Sequence, residues 1–262
     1  MLEHNSWSLL TMFDSYKDIF NQRGLSYHQA MMTYPLARAE EFNQVLKLAK
    51  IKDENVICDV PSGGCYLSNF IPRCAKLISI ETSEKFIECS QKKDHNIALV
   101  CENISHIPLL SESIDRVISL AALHHVDDKF GFYQEAYRLL AQGGICCLAD
   151  VRKGSKVADF LNIFVDRYNS MGHQGAFWDK NTANQLETVG FQVLVHQAIS
   201  FDWQFDSLED MVNFCKLLFG IDKTDNSKIL EGIEQYLSYR IEENHYYLCW
   251  ELEFFQALKS GI

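Results

Sequence analysis

The stretch that decides the fold is DVPSGGCY, residues 59–66. It follows a short apolar run, NVIC, and precedes LSNFI, which has the composition to continue as a helix, so its setting reads strand, tight loop, helix. A dinucleotide-binding turn of the G-x-G-x-x-G type needs its glycines so that backbone approaches a pyrophosphate and the helix packs closely on the strand. Here the bend keeps Gly63 and Gly64 alone. The question it poses is which ligand wants such a loop without a phosphate cradle.

Outward from this bend, the chain alternates short apolar runs with helical patterns, the signature of a parallel sheet covered on both faces. The predicted strands are NVICDV (55–60), KLISIE (76–81), IALVCE (97–102), DRVISL (115–120) and GICCLADV (144–151). CYLSNFIPRCA, TSEKFIECSQKK and DDKFGFYQEAYRLLAQ are the helices between them, the last stopping at Gly143 and Gly144. A helix near 155–169, the loop SMGHQGAFWDK, a short helix from Asn181 and a long strand FQVLVHQAISFDW follow. HYYLCWELEFFQALK is the final strand. Ahead of it lies a helical excursion that opens with Asp206 as N-cap and Glu209 three residues on, and continues through NSKILEGIEQYLSYRIEE. Near the N-terminus a helix is predicted over 37–50, with Phe42, Val45, Leu46 and Ala49 on one face, behind a segment dense in aromatics.

The expected division is residues 1–50 as a helical cap or lid, 51–205 with 245–262 as the ligand-binding α/β domain, and 206–244 as an insertion over the substrate pocket. With 262 residues, 47% of them hydrophobic and 23% charged, the chain is long enough for one large core. Its formal net charge of -11 argues against nucleic acid and anionic membranes as partners, because phosphate contacts need clustered Lys and Arg. MLEHNSWSLL has neither the basic region nor the apolar core of a signal peptide, and no run approaches the ~18 apolar residues of a membrane span, so the expected location is the cytoplasm. The nine cysteines are scattered and contain no C-x-x-C pair, so reduced, mostly buried thiols are expected and no metal site.

In an open parallel sheet the ligand crevice lies beyond the C-terminal strand ends, near the switch point. Asp59 with Gly63 and Gly64, Glu81 with Thr82, Glu102 with Asn103, and Leu120 through His125 occupy those ends. Glu81 closes the second strand 22 residues after Asp59, where an acid accepts bonds from both ribose hydroxyls. That signal says nucleoside, and NAD enzymes share it.

DVPSGGCY, SIETSEKFIE, CENISHIPL, SIDRVISLAALHHV and LLAQGGICCLADV, in this order and spacing, resemble the motifs of the class I S-adenosylmethionine-dependent methyltransferases, especially the small-molecule branch. The resemblance is strong over about residues 55–151. Pro61 and Cys65 stand where that family has glycines, Glu102 and Asn103 where Asp and Ala are usual, and Gln142 where Pro is usual.

The resemblance implies a Rossmann-like, seven-stranded, mostly parallel sheet with an antiparallel last strand. It implies S-adenosyl-L-methionine as cofactor and S-adenosyl-L-homocysteine as product. That cofactor has no pyrophosphate, so fewer glycines suffice. A helix starting near Tyr66 would then turn its positive end to the methionine carboxylate, with Asp59, Pro61 and Gly63 beside it.

By the same resemblance Glu102, or the backbone of Asn103 and Ile104, meets the adenine, and Leu120 and Ala121 line the methionine side. Arg38 and Tyr27, with Tyr34, close over the site from the N-terminal collar, and the rings of Tyr16, Tyr27 and Tyr34 suit a sulfonium. His125 is expected near the methyl group as proton acceptor or polar wall, with a pKa near the working pH, and His124 packs under it. His173 and Trp178 are expected over the substrate. The implied acceptor is a small, partly apolar metabolite or an acyl group on a carrier protein, with oxygen, carbon and nitrogen all open as acceptor atoms. A non-catalytic S-adenosylmethionine-binding protein and an NAD-dependent oxidoreductase are the alternative readings.

Overall fold

The computed structural model describes residues 16–73, 75–90 and 95–261. Among these the sheet has eight strands: β1 (Val56–Asp59), β2 (Lys76–Glu81), β3 (Asn96–Val100), β4 (Ile114–Leu120), β5 (Leu140–Asp150), β6 (Phe191–Phe205), β7 (Tyr239–Glu242) and β8 (His245–Lys259). Their order is β3-β2-β1-β4-β5-β8-β6, with β7 paired to β8. β1 to β5 pair in parallel, while β8 runs antiparallel to both β5 and β6. The chain order reverses between β1 and β4, so the C-terminal ends of these strands, Asp59 and Leu120, flank the switch-point crevice. This is the expected Rossmann-like sheet with its antiparallel late strand, plus β7 as an added hairpin strand.

Alternate residues of the central strands enter opposite cores, as a sheet buried on both faces requires. Ile57, Cys147 and Ala149 pack into one core with the helix α2 (Ala39–Ala49) and with α8 (Leu208–Leu218) and α9 (Asn226–Tyr236). Cys58, Cys146 and Leu148 face the other, with α4 (Lys129–Leu139) and α7 (Thr182–Val189). The N-terminal helix α1 (Tyr16–Thr33) lies across the strand ends, its Tyr16 and Phe20 clustering with Phe86 and Ala122. Phe86 belongs to the short helix α3 (Glu84–Glu88). None of the described helices is long and apolar enough to cross a membrane. The eight described cysteines are all free thiols.

Local chemistry moved several expected boundaries. The helix expected after the DVPSGGCY bend is a single 3₁₀ turn, Tyr66–Asn69, because Cys65 enters it in a left-handed conformation and Pro72 follows closely. One such turn has no helix dipole to offer a carboxylate. The helix expected to reach Gly143 and Gly144 ends at Leu139, since Leu140 already pairs with Ile114 across the sheet. The N-cap of α8 is Ser207, whose side chain accepts from the Asp210 N–H, rather than Asp206. The tail of the excursion, expected to be helical throughout, turns into β7 because Tyr239 to Glu242 find ladder partners on β8.

Between β5 and the loop before α7 runs a helix in three parts: α5 (Lys156–Asp159), a π-helical segment Phe160–Val165, and α6 (Asp166–Tyr168). Residues 1–15, on which part of the expected cap falls, lie outside the described residues.

Candidate active site

The DVPSGGCY bend leaves β1 at Asp59 and crosses the ends of its neighbours. Val60 N–H donates to the Ile118 carbonyl at 2.9 Å and Ser62 N–H to the Ile80 carbonyl at 2.9 Å. Gly63 adopts φ +55°, where a side chain is strained, and its N–H donates to Glu81 Oε2 at 2.7 Å. Gly64 serves packing: a Cβ there would stand 2.6 Å from the Tyr66 ring. Cys65, at φ +60°, occupies a left-handed position that glycine would fill without cost.

Glu81 is fully buried and saturated with donors. Its Oε1 accepts from the backbone N–H of Thr82 at 2.7 Å and of Ser83 at 2.9 Å, and its Oε2 accepts from Gly63 N–H and, at 2.9 Å, from the Tyr16 hydroxyl. Burial pushes its carboxyl pKa up, and these donors pull against that. Asp59 is buried too, yet no described residue hydrogen-bonds its carboxylate, and burial beside Glu81 holds it well above the usual carboxylate range. An uncompensated buried acid costs stability unless a cationic or donor group completes it.

Two adjoining cavities open from this corner. The first is lined by Asp59, Pro61, Gly63, Tyr66, Leu120 and Ala121, under the rings of Tyr16 and Phe20. The second is lined by Arg23, His124, His125, His173, Trp203 and Trp250. Tyr27, Arg38, Phe20 and Ala121 belong to both. A third, outer cavity shares Arg23 and the three histidines with the second and adds Asp127, Asp166 and Met171. Ala121, at φ +51°, holds a left-handed turn between the first two, a strain that folded proteins keep where a site demands it.

Arg38 is not a free cation. Its Nε donates to Glu41 Oε2 at 2.7 Å, a second N–H donates to Glu41 Oε1, and a third goes to the Tyr27 hydroxyl. Burial would lower its pKa, but Glu41 and Tyr27 raise it above the ordinary arginine value. Trp203 Nε1 donates to Glu41 as well, at 2.9 Å, and the Trp203 and Trp250 indoles stack at 4.2 Å. Arg38 walls both cavities with its charge already neutralised by Glu41.

The histidines come from two distant segments. His124 and His125 form the 3₁₀ turn Leu123–His125 after β4, and His173 belongs to the loop after α6. His124 Nδ1 lies 2.6 Å from Asp150 Oδ1, and the other Asp150 oxygen accepts the His124 backbone N–H at 2.9 Å. His173 Nδ1 lies 2.9 Å from Asn162 Oδ1. Burial, His124 and His173 together push His125 well below the ordinary histidine pKa, so it is a weaker base than a pKa near the working pH implies.

Other expected site residues fall elsewhere. Glu102 and Asn103 are exposed beyond the end of β3, which stops at Val100, and line none of these three cavities; the Asn103 side chain caps Ser105 instead. Ile104 is buried in the core behind the sheet. Thr82 supports Glu81 and does not line the cavities. Tyr34 packs edge-on against Phe214 and Phe205, away from the crevice. Trp178 is 2% exposed, sits edge-on to Phe255 and bridges to Arg152, so it is core, not a substrate contact.

Sequence reasoning missed Arg23, Glu41, Trp203, Trp250, Asp150 and Asn162. Asp150 ends β5, so the strand-end argument that selects Asp59 and Glu81 reaches it too. The indoles carried no such signal, since inward-facing aromatics on a strand are usually core.

A scan against protein families matches residues 58–148 to the family described as methyltransferase domain. A malonyl-[acyl-carrier protein] O-methyltransferase of Hamiltonella defensa is 26% identical over 137 residues, covering 52% of each protein, so this chain spans about half the length of the curated relative it matches. Among solved structures, an S-adenosylmethionine-dependent methyltransferase of Thermotoga maritima aligns over 94% of this chain and 100% of its own, with a TM-score of 0.63 and 17% identity. A phosphoethanolamine N-methyltransferase 2 of Haemonchus contortus, in complex with phosphomonomethylethanolamine and S-adenosylhomocysteine, aligns over 95% of this chain and 61% of its own, with a TM-score of 0.60 and 16% identity. At such identities the structures speak for the fold, and the family match speaks for the segment that builds the crevice. Residues 58–148 thus match the family described as methyltransferase domain, and the fold around them is similar to that of the S-adenosylmethionine-dependent methyltransferase of Thermotoga maritima.

Proposed function

We propose that the chain transfers a methyl group from S-adenosyl-L-methionine to a small, partly apolar metabolite or to an acyl group presented on a carrier protein. The observation that carries this is the pair of cavities meeting at Tyr27 and Ala121, one walled by the strand-end acid Asp59 and the other by stacked indoles. The first cavity suits an adenosyl-amino-acid group by the hydrogen-bond acceptors at its edge. Asp59 is a buried carboxylate without a described partner, suited to an ammonium, and Glu81 stands at the strand end suited to ribose hydroxyls. Bound there, the cofactor supplies an electrophilic methyl on a sulfonium, and S-adenosyl-L-homocysteine is the product.

In-line displacement needs positioning in a water-poor site more than acid-base power. Phe20 and Tyr27 wall both cavities, and Trp203, Trp250 and Phe219 offer a dry face to an acceptor. His124, oriented by Asp150, lines the acceptor cavity. α1 and α2 (within residues 1–50) act as the cap and the segment 206–244 as the cover of the acceptor cavity in this reading. The carrier-bound option has support in the similarity to the malonyl-carrier methyltransferase.

The test is release of S-adenosylhomocysteine from methyl-labelled cofactor across a panel of carrier thioesters and free aliphatic and aromatic acids, amines and phenols. Turnover above the acceptor-free rate with one class supports the proposal. Tight binding without turnover on the whole panel turns the reading to a cofactor-binding protein, and preference for NAD in calorimetry overturns it.

A further inference from the structure

His124, His125 and His173 each offer an imidazole nitrogen, and the three nitrogens lie within 4.8 Å of one another. Their ring centroids are 4.2, 5.0 and 5.5 Å apart. With metal–nitrogen bonds of about 2.1 Å, three imidazoles around one ion place their centroids about 4.6 Å apart at right angles and about 5.3 Å apart at tetrahedral angles. The observed spacings straddle these values. Around an ion the nitrogens themselves would be about 3.0 to 3.4 Å apart, which nitrogens lying within 4.8 Å reach by ring shifts on the order of an ångström.

Hydrogen bonding settles which nitrogens are free. The Asn162 amide is fixed in both directions, its Oδ1 accepting from Gly175 N–H at 2.8 Å and its Nδ2 donating to the Gly175 carbonyl at 3.0 Å. Oδ1 is thus an acceptor, so His173 Nδ1, 2.9 Å away, must be the protonated nitrogen, leaving a lone pair on Nε2. Asp150 imposes the same tautomer on His124. Ligating histidines that carry their other nitrogen on a carboxylate or carbonyl oxygen are the usual support of a metal ion. Asn162 comes from the π-helical segment, an irregularity frequent at functional sites.

We propose that His124, His125 and His173 form a first-row divalent metal site, of the zinc or ferrous type, at the neck between the acceptor cavity and the outer cavity. Three neutral imidazoles suit these ions, and a three-histidine set leaves positions open for an oxygen or nitrogen of a small molecule. The cations acting on it are Arg23, on the outer cavity, and Lys129, which is tied to the Val126 carbonyl. Against them stand three carboxylates: Asp150 behind His124, and Asp127 and Asp166 on the outer cavity. The acids outnumber the bases. The site rests on imidazole geometry and stands whether or not the methyl-transfer reading does.

The test is titration of chelator-treated protein with cobalt(II), followed by its visible absorption, and with zinc(II) by calorimetry. One equivalent of metal is expected, with affinity reduced at least tenfold in His173→Ala and about 10- to 100-fold in Asn162→Ala, whose side chain only orients His173. Circular dichroism checks that each variant folds; His125→Ala, at the most exposed of the three rings, replaces any that does not and is expected to lose at least tenfold as well. Absence of saturable metal binding in the wild type, or equal affinities in wild type and folded variants, overturns the site. S-adenosylhomocysteine binding, measured on the same samples, reports separately on the cofactor cavity.

Discussion

The Tyr16 hydroxyl donates to Glu81 Oε2 at 2.9 Å, on the same oxygen that accepts the Gly63 N–H. α1 thereby places a phenol where the ribose reading needs a sugar hydroxyl. Tyr16→Phe removes a competitor and leaves the acid intact, so its affinity for S-adenosylhomocysteine is expected to rise by up to about tenfold, roughly the worth of one hydrogen bond. Glu81→Ala is expected to lose roughly 1 to 3 kcal/mol of binding. Calorimetry on both variants checks the pair; a weaker Tyr16→Phe contradicts the displacement.

Asp59 links stability to pH. Its folded-state pKa is raised by burial and by Glu81, so the folded protein holds this proton more tightly than the unfolded chain. The sign follows: the ionised group's penalty is absent below the unfolded value near pH 4, grows as pH rises through the window up to the folded pKa, and is constant above it. Asp59→Asn is expected to raise Tm at pH 7 by several degrees, with the gain vanishing below about pH 4, while weakening cofactor binding. Thermal melts at both pH values decide; an unchanged Tm at pH 7 refutes the argument.

Glu41 neutralises Arg38 and accepts from Trp203, all three buried. Glu41→Ala strands a buried guanidinium and is expected to cost about 3 to 5 kcal/mol, lowering Tm by on the order of 10 °C. The double variant Glu41→Ala/Arg38→Ala is expected to lose less than the sum of the singles, because no charge is left unpaired. A denaturant double-mutant cycle measures this coupling.

The Trp250 indole N–H is buried on the acceptor cavity with no partner among the described residues. Trp250→Phe keeps most of the apolar area and deletes the unsatisfied donor, so unfolding free energy is expected to stay within about 1 kcal/mol of wild type. If the N–H meets the acceptor, KM for the acceptor rises while KM for the cofactor does not, which steady-state kinetics separates.

Local pattern alone sufficed for β2 and β8, whose observed bounds coincide with the runs KLISIE and HYYLCWELEFFQALK, because strand periodicity and flanking turns are encoded within a few residues. The bend at 59–66 and the acids ending β1 and β2 were legible for the same reason. Where two signals competed, long-range partners won: Leu140 left its helix for the sheet, and Tyr239 to Glu242 left theirs for β8. Glu41 against Arg38 is three residues apart in sequence, yet its value as a clamp depends on Trp203 arriving from β6. His173 joins His124 and His125 across nearly fifty residues, and Asn162 and Asp150 fix their tautomers from two further elements. Sequence by itself determined a parallel sheet with acids at its strand ends. Tertiary structure decided which side chains meet at the crevice, because tautomer, charge pairing and cavity shape depend on distances that no spacing along the chain specifies.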